Sequence, residues 1–255
     1  MNTLSNGSLH GEEAASPCVG VTPDAIPEAR NSQTGVSVRY VPSVDKSWFV
    51  LRASYGREVR AADLLIDSGA YAYVPQRYEM VERDGRRRKV LKSLLPNIIF
   101  AYLTQVDAEL FVKGPSRKFV EENKKRQDGH GMSEQDLART FTISSLVTYY
   151  YNHFERAEDD DEKNPPLIVS DREMHSFILA THTRSSHLKQ VDLEKCRFLD
   201  DSMVEVIQGN YKGVKGRIAR VAGQQCIVVS LANGKWNIST DYIPTPFIRV
   251  LDDKH

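Results

Sequence analysis

Histidine and cysteine are the residues most able to support acid–base or metal chemistry, and their spacing in this chain indicates neither. Five of the seven histidines lie between residues 130 and 187: His130, His153, His175, His182 and His187. None of them shows the short, regular spacing of metal ligands. The cysteines are Cys18, Cys196 and Cys226. They are too scattered for a disulfide framework or a C-x-x-C zinc site, so the sequence predicts no metal.

One glycine-rich segment, 209–213, invites comparison with a phosphate-binding loop. Such a loop joins a strand to a helix and ends in Lys-Ser or Lys-Thr, so that backbone N–H groups and the lysine surround the phosphates. This segment lacks both features. The sequence also shows no serine–histidine–aspartate arrangement and no paired-carboxylate motif. It therefore predicts a binding protein without a cofactor, and not an enzyme.

Two basic clusters have the composition of nucleic-acid contacts. The first is Arg57 with Arg60, and the second is the run Arg86, Arg87, Arg88 and Lys89. Lys plus Arg equal Asp plus Glu at 34 each, so the overall charge neither favours nor opposes a polyanionic partner. Clusters of this kind are also common as solvated surface. The two interpretations, phosphate contact and solvated surface, both remain open from the residues alone.

The elements that position these clusters surround one apolar run, Leu94–Leu103. Its Ile, Leu and aromatic content predicts a buried central strand that begins near Val90. Pro96 cannot donate to a sheet ladder, so Leu94–Asn97 is predicted to lie on the rim of the sheet. Before it come a strand at Trp48–Arg52, a helix at Arg57–Ser68 and a hairpin turn at Asp84–Gly85.

Helix and strand patterns continue downstream. The sequence predicts a charged helix at Ser116–Arg126 and capped helices after Ser133 and Ser170. Leu146–Phe154 is predicted as a strand, along which Tyr150 faces the opposite way from Tyr149 and Tyr151. These tyrosines could stack on unpaired bases, or form core. Residues 155–164 are acidic and predicted as a solvated loop.

Both ends of the chain differ from the middle. Residues 1–45 are rich in Ser, Asn, Gly and Pro and poor in large apolar residues, which predicts a disordered tail. No signal peptide or membrane-spanning run is recognisable, so a cytoplasmic protein without membrane contact is expected. After a polar linker at 183–198, five short strands between Gly and Asn turns predict a small closed β-barrel over 199–255.

The run Val204–Ile218 resembles a KOW motif. The positions that carry the resemblance are Gly209, Tyr211, Lys212, Gly213 and Gly216. In such a motif alternating apolar residues precede a glycine turn, an aromatic residue and a basic-Gly pair. Gly213 is expected to adopt positive φ at the turn, and Gly216 to let the next strand bend.

The earlier part of the chain resembles the NGN domain of the NusG family. The resemblance rests on Trp48–Leu51 with Tyr55-Gly56, on Tyr73-Val74-Pro75 with the basic hairpin, and on Leu95–Phe100. Pro166–Asp171 and its capped helix resemble the end of that domain. The resemblance implies an α+β protein. An NGN domain at 46–182, with flanking helices on an antiparallel sheet and an insertion at about 113–140, would precede an SH3-like KOW barrel.

This resemblance also implies function and site residues. It implies binding to the clamp of RNA polymerase through Leu95, Pro96, Asn97 and Ile98, with suppression of pausing and termination. The two basic clusters would contact non-template DNA or nascent RNA, and the KOW domain a ribosomal protein or Rho. The residues alone favour the core for Leu95 and Ile98, and only the resemblance places them at the interface.

Asn97, the tyrosine strand and the Met174–Ile178 helix face are similar to UpxY-type antiterminators of surface-polysaccharide operons, such as capsular polysaccharide loci. This likeness implies action on a few long operons instead of on all genes. A ribosome-associated or general RNA-binding KOW protein is the alternative. Co-purification with polymerase or with ribosomal subunits would distinguish the antiterminator from this alternative.

Overall fold

The computed structural model describes residues 26–125, 131–153 and 164–251. Its helices are α1 Glu58–Asp67, α2 Gln105–Lys113, α3 Arg117–Lys125, α4 Glu134–Leu146 and α5 Asp171–His182. Its first nine strands are β1 Ala29–Arg30, β2 Ser37–Val38, β3 Lys46–Ala53, β4 Tyr71–Tyr73, β5 Gln76–Arg83, β6 Arg86–Ser93, β7 Ile98–Thr104, β8 Val147–Tyr149 and β9 Ile168–Val169. Six more follow: β10 Lys189–Gln190, β11 Arg197–Val206, β12 Lys215–Val221, β13 Gln224–Leu231, β14 Trp236–Ser239 and β15 Ile248–Val250.

The first sheet is antiparallel and has the order β4-β7-β3-β8, with β9 also paired to β3. Side chains alternate between its faces. Phe100 of β7 packs edge-on against Phe177 of α5, with ring centroids 5.4 Å apart. On the opposite face Tyr149 packs against Phe49, where α2 contacts β3, β7 and β8. Mixed helices and antiparallel sheets agree with the α+β class expected from the sequence.

The predicted central strand is interrupted. The chain bends and turns at residues 94–97, between β6 and β7, so the run divides into a hairpin strand and a sheet strand. Two features stop the ladder: Pro96 has no N–H to donate, and Asn97 adopts a left-handed φ of 63°. The Leu94 N–H instead donates to the Pro75 carbonyl at 2.8 Å, which closes the base of the β5–β6 hairpin.

Local signals located several elements correctly. Ser133 and Ser170 cap α4 and α5, each accepting from a backbone N–H three residues on, and Ser170 forms the predicted capping box with Glu173. The Asp84–Gly85 turn has positive φ at both positions, as a tight hairpin requires. By contrast, β8 ends at Tyr149, so the predicted strand at Leu146–Phe154 is shorter than expected, and most of the acidic loop lies outside the described residues.

An ordered hairpin, β1–β2, lies within the stretch that the sequence predicts as a disordered tail. Asn31 is buried, and its amide donates to Asp67 Oδ2 at 3.0 Å. The Thr34 hydroxyl donates to the other oxygen of Asp67 at 2.7 Å. Tyr40 stacks on Trp48 with ring centroids 5.5 Å apart. These contacts order residues 26–45 despite their polar composition; residues 1–25 lie outside the described part.

The second sheet is antiparallel and has the order β10-β14-β13-β12-β11-β15. Its first strand, β10, lies inside the predicted linker at 183–198, where Leu188 is also completely buried. That segment is therefore packed structure and not a free connection. Closure of the second sheet into an SH3-like barrel, and its assignment as a KOW domain, stay predictions.

Helix α5 lies between the two sheets. Phe177 packs on Phe100 of the first sheet, while the Ser176 hydroxyl accepts from the Lys215 N–H of the second sheet at 3.3 Å. Most of the helix is buried as a result, which explains why apolar residues recur on more than one of its faces. The Thr181 and Tyr73 hydroxyls are 2.7 Å apart and join the end of α5 to β4.

Candidate functional site

The apolar patch, defined as Leu95, Pro96, Asn97 and Ile98, forms the turn before β7. Pro96 is exposed and Asn97 half-buried. Leu95 and Ile98 are only 2% and 7% exposed and belong to the hydrophobic core. The sequence resemblance placed both of these side chains at a polymerase interface. In this conformation neither presents its apolar surface to a partner.

The second sheet occupies part of the sheet face that carries Ile98. Alternation along β7 puts Ile98 and Phe100 on the same face. Trp236 of β14 packs edge-on against Phe100 at 5.9 Å between centroids, and against Tyr150 at 5.4 Å. Nothing in the local sequence of Trp236 identifies this contact, because its partners lie far away in the chain. The apolar face beside the patch is thus covered by the protein's own C-terminal half.

Asn97 has a positioning role that the sequence did not reveal. Its backbone carbonyl accepts from the Ala53 N–H at 2.8 Å, and its side-chain Oδ1 accepts from the Gly56 N–H at 2.7 Å. It therefore fastens the connection between β3 and α1 to the start of β7. Asparagine suits this position because it tolerates left-handed φ and also carries an acceptor.

The α1 arginines, Arg57 and Arg60, lie at the N-terminal end of α1 and are exposed. Residues three apart on a helix are neighbours on its surface. Within the described ranges neither side chain forms a salt bridge, and the same is true of the exposed Arg52 at the end of β3. The adjacent Glu58 forms no salt bridge with them in the described ranges; it is buried and accepts from the Ser93 hydroxyl.

The basic hairpin, β5–β6, forms a two-stranded sheet of its own. Arg86, Arg87, Arg88 and Lys89 all lie exposed on β6. The Lys89 ammonium is 4.2 Å from the Tyr78 ring centroid, and Lys92 pairs with Glu79 at 3.4 Å. The Ser93–Glu58 contact joins the base of this hairpin to the start of α1. Arg86, Arg87, Arg88 and Lys89 lie four to seven residues from Ser93 along β6, toward the Asp84–Gly85 turn. The structure therefore links the two predicted basic clusters through the hairpin but does not place them side by side.

The tyrosine strand is mostly packed. Tyr149 is buried against Phe49, and Tyr151 packs edge-on to it at 6.2 Å. Burial and the nearby Glu109 carboxylate raise the pKa of Tyr149 to about 12. Tyr150 faces the other way, as alternation predicts, and contacts Trp236. Tyr149 is buried, and Tyr150 and Tyr151 are half-buried against the core, which favours the core alternative over base stacking.

The KOW-like segment has turn geometry that depends on its glycines. Gly213 has a φ of 86°, as predicted. A Cβ at Gly216 would lie 2.5 Å from the Val228 carbonyl oxygen, so this glycine allows close approach of β13 where the sequence predicted a bend. Gly209 also has positive φ, Tyr211 is buried, and Lys212 is exposed.

The remaining titratable groups do not converge. Among the described residues no group of three or more His, Cys, Asp and Glu side chains lies close enough to hold a metal ion. His182 lies at the surface at the end of α5, and partial desolvation and the nearby Arg184 lower its pKa. The helices in the described ranges include none long and apolar enough to cross a membrane.

Residues 46–127 match the family model described as "Transcription termination factor nusG". The matched segment contains β3, α1, the basic hairpin, the apolar patch and β7. That part of the chain is therefore NusG-like. No curated protein matches the chain. The match ends before α4, α5 and the second sheet, so it supports a NusG-like assignment for the first part of the chain alone.

Proposed function

We propose that this protein is a NusG-like transcription elongation factor that binds RNA polymerase and suppresses pausing and termination. The family match over residues 46–127 is the observation that carries the proposal, and it supports a general role in transcription elongation or antitermination. Two exposed basic clusters within the matched segment add a surface suited to nucleic acid. The proposed activity is binding, without any bond chemistry.

In the proposed mechanism two contacts act together. The apolar patch would contact the polymerase clamp, while the α1 arginines and the basic hairpin would contact the non-template DNA or the nascent RNA. Such a tether favours the closed clamp only if it binds that state more tightly than the open one. Stabilising the closed state would then oppose pausing and carry transcription past termination sites.

Contact through the patch requires the chain to rearrange. Leu95 and Ile98 are buried in this conformation, and Trp236 occupies the neighbouring position on the same face of the first sheet. Polymerase binding would therefore compete with the packing of the second sheet. The proposal also includes a contact between the second sheet and a ribosomal protein or Rho. Its only support is the resemblance of the segment Val204–Ile218 to a KOW motif.

The proposal extends to a restricted set of long operons, such as capsular polysaccharide loci, through the likeness to UpxY-type antiterminators. Deleting the gene should then lower promoter-distal RNA of one or a few long operons and leave promoter-proximal RNA nearly unchanged. Sequencing of RNA along each operon measures this. A uniform fall along an operon would contradict antitermination and indicate control of initiation.

The first test is co-purification. Tagged full-length protein should co-elute with core RNA polymerase from a lysate and in a purified mixture of the two. Ribosomal subunits serve as the competing partner in the same experiment. Co-elution with ribosomal subunits and not with polymerase would overturn the proposal in favour of a ribosome-associated protein.

A further inference from the structure

Tyr55 is the most exposed aromatic residue in the described part of the chain, with 94% of its surface accessible to solvent. It lies in the connection between β3 and α1, one residue before Gly56. Single exposed apolar residues are common on protein surfaces, so exposure alone indicates no function. The backbone beneath the ring and the charges around it supply the further observations.

The backbone at Tyr55 is left-handed, with a φ of 52°. A bulky residue rarely adopts this conformation, which glycine or asparagine would occupy with less strain. The turn is nonetheless fastened on both sides of Tyr55. The Ala53 and Gly56 N–H groups donate to Asn97 at 2.8 and 2.7 Å, and the Ser54 N–H donates to the Leu146 carbonyl at 2.9 Å. The exposed ring is therefore attached to a backbone turn that hydrogen bonds hold in place.

The exposed charges nearest to Tyr55 in sequence are all positive. Arg52 precedes the turn, and the α1 arginines follow it. None of the three forms a salt bridge within the described residues, and Glu58 is buried against Ser93. An aromatic face flanked by cations is the combination by which proteins bind single-stranded nucleic acid, since bases stack on the ring while arginines contact phosphates.

We propose that Tyr55 is a stacking platform for an unpaired base of single-stranded DNA, with Arg52 and the α1 arginines holding the adjacent phosphates. The inference rests on the proposed function, because an elongating polymerase displaces the non-template strand. It assigns to Tyr55 the base contact that buried Tyr149 cannot make. Duplex DNA does not fit the site, because its bases offer no open face to a side chain.

The test measures binding of full-length protein to a short oligothymidine strand that carries one 2-aminopurine, whose fluorescence is quenched by stacking. Tyr55→Ala should weaken binding about 5- to 150-fold and abolish the quenching. Tyr55→Trp should retain both. Tyr242→Ala removes another exposed tyrosine, in the second half of the chain, and should change neither. Wild-type affinity and quenching in Tyr55→Ala would overturn the assignment.

Tyr55→Gly separates the ring from the fold. Glycine relieves the left-handed backbone, so the melting temperature should equal or exceed that of the wild type while binding falls as in Tyr55→Ala. The salt dependence of binding should stay the same in both variants, because no phosphate contact is lost. A fall in salt dependence equal to that of an arginine variant would overturn stacking.

Two further measurements test whether the ligand is DNA or RNA and whether polymerase binding is independent of Tyr55. Oligouridine RNA that binds more tightly than DNA and depends on Tyr55 would overturn the DNA assignment. Tyr55→Ala should still co-elute with core polymerase, because the ring lies outside the apolar patch. If the wild type fails to co-elute with polymerase but still quenches the DNA probe through Tyr55, the proposed function fails while the base-stacking site stands.

Discussion

The sequence predicts a binding surface with an apolar part and a basic part, and these two parts differ in their exposure to solvent. Leu95 and Ile98 are buried in the core, whereas the α1 arginines are exposed without salt-bridge partners in the described ranges. Water penalises an exposed apolar patch but solvates a guanidinium well. An apolar binding surface is therefore easily covered by another part of the same chain, while a charged one stays at the surface.

The cover on the apolar side comes from far along the chain. Trp236 is separated from Phe100 by more than half of the chain, yet their rings meet edge to edge. A partner for the apolar face must therefore displace a packed aromatic residue, while a partner for the arginines displaces only water and ions. We therefore expect substitutions in the apolar patch to destabilise the fold and substitutions of the α1 arginines to weaken nucleic-acid binding without unfolding the protein.

The largest effect is expected from Leu95→Asp combined with Ile98→Asp. Each change places a carboxylate in the core without a partner, a cost of several kcal/mol apiece that exceeds what a marginally stable domain can absorb. We expect the double variant to lose cooperative unfolding, as measured by circular dichroism during heating. Val106→Asp, at a position 75% exposed on α2, is the matched control and should melt like the wild type.

A double variant that is folded and melts normally would contradict the burial of both side chains in the core. It would show that the two side chains are accessible in solution, as the family resemblance implies. Loss of polymerase binding in that folded variant would then assign them to the interface.

Trp236→Ala is expected to have an intermediate effect. Truncating a buried tryptophan typically lowers the free energy of unfolding by about 3–5 kcal/mol. Here the change destabilises the second sheet and removes its contact with Phe100 and Tyr150. The first sheet keeps its other contacts and should stay folded. With the face uncovered, binding to core polymerase should become tighter, as measured by titration of labelled protein.

Tyr242→Ala is the control for this experiment, because it removes an exposed ring from the C-terminal half without touching the first sheet. Unchanged or weaker polymerase binding by a folded Trp236→Ala protein would show that polymerase does not use this face.

Short-range signals predicted much of the fold. The caps at Ser133 and Ser170, the Asp84–Gly85 turn and α1 each depend on residues within a few positions, and all are present. The errors lie where distant residues decide. Asn31 is ordered by Asp67, 36 positions away, and this contact turns part of a predicted tail into a hairpin.

The same distinction holds for the candidate site. Residue type alone predicted that the two basic clusters lie at the surface, because arginine side chains are usually exposed. Residue type also favoured the core for Leu95 and Ile98, whereas the family resemblance placed them at an interface. The choice between the two depends on how the rest of the chain packs. Residue type could not identify the role of Asn97, whose amide oxygen reaches Gly56 across 41 positions.

The smallest effects separate the two basic clusters from each other. Arg57 and Arg60 stand on a helix that packs on the first sheet, so little ordering is needed for them to hold phosphates. The basic hairpin is a separate two-stranded sheet, a form with little stability of its own. Glu82 also lies opposite Arg87 in its register and offsets part of the charge.

We therefore compare Arg57→Ala with Arg60→Ala against Arg87→Ala with Arg88→Ala, each as a double variant. The slope of log K against log salt for an oligothymidine strand should fall by roughly 1.4 in the first, or 0.7 for each lost phosphate contact. The hairpin variant should lose less than half as much. Both should keep the wild-type melting temperature, because exposed charges contribute little to stability. An equal or larger fall of the salt slope in the hairpin variant would make the hairpin the principal phosphate contact. The attachment of Arg57 and Arg60 to a packed helix would then not explain their binding to phosphate.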